Sequence, residues 1–142
     1  MAKARGSIVV GTDGSERAER AVDRAGEIAK SLDVKVHVVS AYGKGSDAVP
    51  GAPGREEKEK RTRAGHYVAR AQQRLARFGV DSEAHVWPGE PADALVGIAD
   101  EQVAQMIVLG NRGMTGARRV LGSVPNRVSH RAPCDVLIVT TD

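Results

Sequence analysis

Short apolar runs that alternate with amphipathic segments constrain the fold of this chain more than any other feature of its sequence. Five runs are rich in valine, isoleucine or alanine and stop at turn-forming residues, as buried strands do. They lie at 7–10, 34–41, 82–87, 106–109 and 136–139. This alternation predicts an α/β fold, in which a five-stranded, parallel, doubly wound sheet carries helices on both faces.

The segments between the strands carry apolar residues at helical spacing. Helices are predicted after a capping Ser15, over 55–79, around 94–99 and over about 123–130. The polar segment 42–54 contains several glycines and prolines and predicts a loop. With 142 residues, the chain is expected to form one domain over 1–142.

The strand order has a consequence for ligand binding. In a flavodoxin-like, Rossmann-like order of third, second, first, fourth and fifth strand, the first and fourth strands are neighbours where the winding direction reverses. Ligands of such sheets bind beyond the carboxyl ends of the strands at that reversal. The loops VGTDGS (10–15) and GNRGMTG (110–116) follow these two strands. We therefore expect them to face each other across one crevice.

Composition excludes several classes of function. Aromatic residues make up 3% of the chain, which leaves little on which bases could stack, and a net charge of +3 is too small to indicate nucleic-acid binding. No apolar run is long enough to span a bilayer, and no signal-peptide core precedes TDGSE. The single cysteine, Cys134, cannot form an internal disulfide. We expect a cytoplasmic protein without membrane or nucleic-acid partners.

The segment GNRGMTGARRVLGSVPN (110–126) has a chemical interpretation. Glycines allow backbone N–H groups to approach a phosphate, and Gly122-Ser123 at a helix start adds unpaired amides and the positive end of the dipole. Ser123 could donate its hydroxyl to the same anion, and arginines at 112, 118, 119 and 127 add positive charge. Alternatively, the glycines only form turns, Ser123 caps the helix and the arginines are solvated. The spacing alone leaves both interpretations open, because it matches neither Walker A nor G-x-G-x-x-G.

Asp13 lies in the opposite loop. Its carboxylate could accept a hydrogen bond from a sugar hydroxyl or an amino group, or help to hold a divalent cation. A structural role as a turn or capping residue is the alternative. Together with the glycine-rich segment, Asp13 points to a nucleotide as the ligand.

Four segments together resemble the universal stress protein family over nearly the whole chain: IVVGTDGSERAERAVDRA, GEPADALVGIADE, GNRGMTGARRVLGSVPNRVSHRAP and CDVLIV. The resemblance implies the five-stranded sheet inferred above and a homodimer formed through the last strand. An exposed edge strand at Val136–Val139 is a liability that pairing with a second subunit would remove, which favours the same dimer.

In one branch of that family, the motif G-x2-G-x9-G-S/T marks an ATP site. The two loops and this resemblance give the predicted nucleotide-binding residues: Thr12, Asp13, Ala41, Gly110, Arg112, Gly113, Gly122, Ser123 and Val124. One departure is that eight residues, Met114 to Leu121, separate Gly113 from Gly122, where the family pattern has nine. Members with a similar GN-x-G and GSVP context resemble binders of cyclic AMP as well as ATP. Cyclic AMP is thus a competing ligand, because its single phosphate needs less of the loop.

The function predicted from these features is that of a stress-response protein that binds an adenine nucleotide, with Mg²⁺ accompanying ATP. The bound state would alter a dimer or partner surface. No catalytic residue is assigned, because the sequence shows no general base poised to activate water, and at most slow ATP hydrolysis is expected. Two alternatives remain open: a stress protein that binds cyclic AMP, and a dimeric interaction protein that binds no nucleotide.

The remaining chemically distinctive residues favour structural roles. The four histidines, at 37, 66, 85 and 130, show no metal-ligand spacing with one another or with Cys134, so that a zinc site is not expected. They are interpreted as surface or helix-end residues, with His37 on the strand face near the crevice. Cys134 is interpreted as a small apolar residue that begins the last strand, and Phe78 and Trp87 as core or subunit-edge anchors.

Overall fold

The computed structural model describes residues 6–43, 54–111 and 123–141. Within these ranges, strands and helices alternate as the sequence predicts. The elements are β1 Ile8–Gly11, α1 Glu16–Leu32, β2 Val36–Tyr42, α2 Arg55–Ala76, β3 Ser82–Pro88, α3 Pro91–Glu101, β4 Met106–Gly110, α4 Ser123–Arg131 and β5 Asp135–Val139. None of the described helices combines the length and the apolar character that a membrane span requires.

The strands form one sheet in the order β3-β2-β1-β4-β5, and every neighbouring pair is parallel. The chain winds outward from β1 to β3 and then returns to place β4 on the other side of β1. The predicted fold class and strand order are both confirmed.

Two hydrophobic cores lie on opposite faces of the sheet, because successive side chains of a strand point to opposite sides. Ile8 and Val10 of β1 pack with apolar residues of α1 and α2. Val9, between them, packs instead with residues of α3. Phe78 packs against the first core and Trp87 against the second, as partly buried residues. Of the two roles predicted for them, core or subunit-edge anchors, this packing supports the first.

Local backbone interactions move two predicted boundaries. β2 begins at Val36 rather than at residue 34, because the Val34 N–H donates to the Ala29 carbonyl at 3.0 Å and closes the end of α1. The second helix ends at Ala76 rather than at Gly79. Residues 77–79 form a tighter turn, in which Gly79 takes a φ of +72°, a conformation that favours glycine.

Polar contacts hold α1 against α2. The Arg74 guanidinium donates to both carboxylate oxygens of Asp23, at 2.9 and 2.6 Å, and also lies 3.5 Å from a Glu19 oxygen. The hydrogen bond to Asp23 is the main cause that raises the pKa of Arg74. A bidentate arginine–carboxylate interaction of this kind fixes the orientation of the two helices as well as their separation.

Candidate functional site

A crevice opens beyond the carboxyl ends of β1 and β4, where the winding direction reverses. The ladder between these strands runs from Ile8–Met106 to Val10–Val108. Beyond this ladder, the backbone after β1 turns toward β2 and the backbone after β4 turns toward β5. The Thr12 N–H donates to Val39 at 2.9 Å, and the Asn111 N–H donates to Val139 at 3.1 Å. The backbone hydrogen bonds thus diverge and leave the crevice between them.

The crevice contains about 640 Å³ of empty space, including the part that is open to solvent. Its walls are mostly apolar and come from the ends of three strands and from α1, α3 and α4. The apolar residues are Ala18, Val39, Ala41, Pro91, Leu95, Leu109, Val124 and Pro125, and the polar residues are Thr12, Asp13 and Arg17. Apolar walls with a few polar groups at fixed positions are typical of sites for small organic ligands.

The structure brings together most of the predicted site residues that it describes. Thr12, Asp13, Ala41, Gly110 and Val124 line the crevice. Ser123 is the first residue of α4, adjacent to Val124, and is exposed. The remaining predicted residues, Arg112, Gly113 and Gly122, lie outside the described residues. The contacts of all nine with a nucleotide stay predictions.

The loop after β1 is held by its own side chains. Asp13 Oδ1 accepts a hydrogen bond from the Ser15 N–H at 3.0 Å, and Thr12 Oγ1 accepts one from the Gly14 N–H at 3.1 Å. Gly14 has a φ of +82°, and a Cβ there would overlap the ring of Tyr67. Both features require glycine at this position. They fix the backbone from which Asp13 projects at the rim of the crevice.

Asn111, directly after β4, is bonded to Thr141, two residues beyond the end of β5. Asn111 Oδ1 accepts hydrogen bonds from the backbone N–H and the hydroxyl of Thr141, at 3.2 and 2.9 Å. Thr141 is buried, and its carbonyl accepts a hydrogen bond from the Arg20 guanidinium. A Cβ at Gly110 would lie 3.2 Å from Thr141 Cγ2. Gly110 therefore has a packing role in addition to its place in the crevice wall.

Three helices, α1, α3 and α4, begin near the crevice, and they differ as sites for an anion. The first turn of α3 contains Asp93. At α1, the Ser15 hydroxyl accepts a hydrogen bond from the Ala18 N–H at 3.1 Å, which confirms the predicted cap. The first turn of α1 also contains Glu16 and Glu19. The first turn of α4, in contrast, contains no acidic residue. A negative group is therefore favoured at α4, where the helix dipole acts without a nearby carboxylate of the same turn.

Several lining residues were missed by sequence reasoning. Val39 precedes Ala41 by two positions on β2, so that strand periodicity would have placed both on one face. Pro91 and Leu95 are one helical turn apart on α3, and the helix must be placed over the sheet before they can be assigned. Arg17 carries no sequence signal, since it occurs among other charged residues of α1.

The histidine interpretation is corrected by the fold. His37 is buried in β2, on the same face as Val39, and His85 is half-buried in β3. His37 Nδ1 lies 2.9 Å from His85 Nε2 and 3.7 Å from Glu83 Oε2. Burial is the main cause that lowers the pKa of His37, and the nearby His85 adds to this effect while Glu83 opposes it. The expected position of His37 on a strand face near the crevice is confirmed, because Val39 on the same face of β2 lines the crevice. The surface or helix-end interpretation is wrong for His85, which is half-buried in β3. Strand pairing brings together residues whose sequence spacing gave no sign of contact.

Cys134 directly precedes β5 and is half-buried. Burial is the first cause that raises the pKa of its thiol, and the charge of Asp135 acts in the same direction. A raised pKa keeps the thiol protonated at neutral pH and disfavours nucleophilic chemistry. This environment agrees with the structural role predicted for Cys134.

Comparison with known proteins identifies the class to which this fold and crevice belong. The sequence model described as the universal stress protein family matches residues 5–140. The chain belongs to this family. A universal stress protein of Mycobacterium tuberculosis is 43% identical over 141 residues, which cover 95% of this chain and 96% of the relative.

Two solved structures are informative about ligands of the family. One is a universal stress protein in complex with cAMP, with a TM-score of 0.75 and 41% identity, covering 99% of this chain and all of the other. The second is a universal stress protein from Archaeoglobus fulgidus in complex with dAMP. Its TM-score is 0.75 and its identity 30%, and the match covers 95% of this chain and 98% of that chain.

Proposed function

We propose that the crevice between β1 and β4 binds an adenine nucleotide. The observation that carries this proposal is the combination of an apolar slot with a carboxylate at one rim and a helix N-terminus without acidic residues at another. A nucleotide offers the matching groups, namely an apolar ring, sugar hydroxyls and phosphate. Two related structures that hold cAMP and dAMP support the same ligand class.

The base is expected in the apolar part of the slot, against Val39, Ala41 and Leu95. These apolar side chains can pack against the flat faces of the base, and this contact removes apolar surface of the base and of the protein from water. Asp13 stands at the rim on the loop after β1, where its carboxylate can accept hydrogen bonds from ribose hydroxyls. Such bonds are stronger than neutral ones, because the acceptor is charged.

The phosphate is expected at the start of α4, where the Ser123 hydroxyl and the backbone N–H groups of Ser123 and Val124 can donate. We assign the nucleotide site to Thr12, Asp13, Ala41, Gly110, Arg112, Gly113, Gly122, Ser123 and Val124. The positive end of the helix dipole and the charge of Arg112 would add electrostatic stabilisation.

Two adenine nucleotides compete for this site. ATP is the first candidate, with Mg²⁺ held mainly by its phosphates, as is usual for this ion, and Asp13 as an available carboxylate. Cyclic AMP is the second. It is favoured by the solved complex at 41% identity and by the eight residues between Gly113 and Gly122. Either ligand would be bound without rapid turnover, and the bound state would alter a dimer or partner surface in the stress response.

Isothermal titration of the nucleotide-stripped protein with ATP, ATP plus Mg²⁺, and cyclic AMP distinguishes the candidates. We expect saturable binding of one nucleotide per chain. ATP binding should strengthen when Mg²⁺ is present, whereas cyclic AMP binding should be indifferent to it. Adenosine, which lacks the phosphate, should bind more weakly than the preferred nucleotide. Absence of heat with every nucleotide would contradict the proposal and favour the interaction-protein alternative.

We also propose a homodimer formed through β5. This strand pairs with β4 along one edge and ends the sheet, and its residues Val136–Val139 remain only half-buried within one chain. Backbone groups at the outer edge can pair with those of a second copy. Light scattering at micromolar concentration should give the mass of two chains. A mass of one chain throughout a dilution series would contradict the dimer.

The single domain over 1–142 and the cytoplasmic location stay predictions from the sequence. A protein partner controlled by the nucleotide should bind the nucleotide-loaded protein and the empty protein with different affinities.

A further inference from the structure

We propose that His37, Glu83 and His85 form a binding site for a divalent transition metal, with Zn²⁺ as the representative ion. One donor atom from each of the three residues lies within 4.8 Å of the others, in the part of the chain that the structure describes. His37 Nδ1 lies 2.9 Å from His85 Nε2 and 3.7 Å from Glu83 Oε2. Zinc ligands at about 2.0–2.2 Å in a tetrahedron are roughly 3.3 Å apart, so that these two distances bracket the required value.

The backbone places these donors with little freedom. In the parallel pairing of β2 and β3, His37 is opposite Glu83 and Val39 is opposite His85. Residues two apart on a strand share a face, so that Glu83 and His85 both lie on the face of His37. The pairing extends over seven residues of each strand and makes the spacing between the strands rigid. Small side-chain rotations alone would bring the donors to coordination distance.

The donor set matches a zinc-like ion rather than Mg²⁺ or Ca²⁺. Two imidazoles and one carboxylate suit Zn²⁺, whereas the alkaline-earth ions prefer oxygen ligands. Burial of His37 lowers its pKa and favours the neutral ring, which is the form that binds metal. The two rings now share one hydrogen-bonding contact. One ring nitrogen of this contact carries the proton that lies between the two rings. If that ring carries its proton on its other nitrogen instead, a metal can take the place between the rings. Water could then be the fourth ligand of the metal.

The surroundings give access to the site and set its charge. The Glu83 side chain is 48% exposed, so that an ion from solvent can meet this carboxylate first. Lys35 Nζ lies 3.1 Å from Glu83 Oε2, so that this lysine competes with a cation for the carboxylate. The charge of Glu101 acts on His37 in the opposite sense and favours a cation. Removing the charge of Lys35 should therefore strengthen metal binding.

This site is separate from the nucleotide crevice. Val39 lines the crevice, but His37, Glu83 and His85 do not occur among its lining residues in the described part of the chain. The metal site can therefore be tested without nucleotide, and its failure would leave the proposed function untouched.

The test is titration of the tag-free, nucleotide-free protein with Zn²⁺ by calorimetry and with Co²⁺ by visible absorption. We expect one ion per chain. The His85→Ala and Glu83→Gln variants should each lose affinity by at least about tenfold. His66→Ala, which removes an exposed histidine of α2, is the matched control and should bind as the wild type does. Lys35→Gln should bind Zn²⁺ more tightly than the wild type does. Excess Mg²⁺ should not displace Zn²⁺ from the wild type.

A thermal melt of each variant separates loss of binding from loss of folding. Zn²⁺ should raise the melting temperature of the wild type and of His66→Ala more than that of the two site variants, because a ligand stabilises the state that binds it. The proposal is overturned if the wild type binds no Zn²⁺ at micromolar concentration. It is equally overturned if His85→Ala and Glu83→Gln bind as the wild type does, or if His66→Ala weakens binding as much as they do.

Discussion

The Asp13→Asn variant is expected to bind the adenine nucleotide roughly ten- to hundredfold more weakly than the wild type, since hydrogen bonds to a charged group contribute about 1.5–3 kcal/mol. An amide has almost the same shape as a carboxylate, and its oxygen can still accept the Ser15 N–H that Asp13 Oδ1 accepts at 3.0 Å. The loop should therefore keep its conformation. The loss would then report on the charge at the rim of the crevice.

Isothermal titration of the preferred nucleotide measures this effect. Asp100→Asn, which removes the same charge from an exposed position on α3, is the matched control and should leave the affinity unchanged. Asp13→Ala should weaken binding at least as much, because it also removes the acceptor for the Ser15 N–H. Tighter binding by Asp13→Asn would mean that the phosphate, rather than the ribose, lies beside this carboxylate, and would contradict the proposed orientation.

The Asn111→Ala variant is expected to lower the free energy of unfolding by about 2–4 kcal/mol, because each buried donor left without an acceptor costs about 1–3 kcal/mol. Asn111 Oδ1 accepts from both the N–H and the hydroxyl of Thr141, which is 1% exposed. Asn111 also directly precedes the segment that carries the predicted phosphate-binding glycines. Nucleotide binding should therefore weaken as well.

Urea denaturation of Asn111→Ala, Thr141→Val and the double variant tests this account. Thr141→Val removes the hydroxyl donor but leaves the backbone N–H bonded to Asn111 Oδ1. Asn111→Ala should therefore lower the free energy of unfolding less in the Thr141→Val background than in the wild type. In that background the hydroxyl that would lose its acceptor is already absent. A loss below about 0.5 kcal/mol in Asn111→Ala, typical of a surface substitution, would show that the contact between Asn111 and Thr141 does not stabilise the fold.

The fold could be predicted from the sequence because its inner strands β1, β2 and β4 are largely buried on both faces and therefore form short, nearly continuous apolar runs. The runs at 7–10 and 106–109 identified the two strands that flank the crevice, and the right-handed crossover rule left few possible orders. Element ends were less predictable. They depend on single hydrogen bonds, such as that from the Val34 N–H to Ala29, which no apolar pattern records.

The candidate site was predictable where its residues follow directly from the ends of strands. Asp13 follows β1 and Gly110 is the last residue of β4, and a parallel sheet brings these strand ends to one edge. Arg17 and Leu95 could not be assigned, because their place in the crevice depends on how α1 and α3 rotate on the sheet. The contact between His37 and His85 depends on strand register, which links positions 48 residues apart.

The choice between ATP and cyclic AMP depends on a different part of the molecule. The apolar slot and Asp13 can serve either nucleotide, because both contain the same base and a ribose ring. The phosphates distinguish them, and the residues predicted to bind phosphate include Gly113 and Gly122, which lie outside the described residues.

Chemical-shift mapping of the ¹⁵N-labelled protein on addition of the preferred nucleotide locates the binding site on the molecule. We expect the largest shifts at backbone amides around the crevice, including Thr12, Asp13, Ala41, Gly110 and Val124. Amides on the exposed face of α2, such as those of Lys58 and Thr62, should stay unchanged. Saturable shifts confined to α2 or to another surface, with the crevice amides unmoved, would contradict a nucleotide site between β1 and β4.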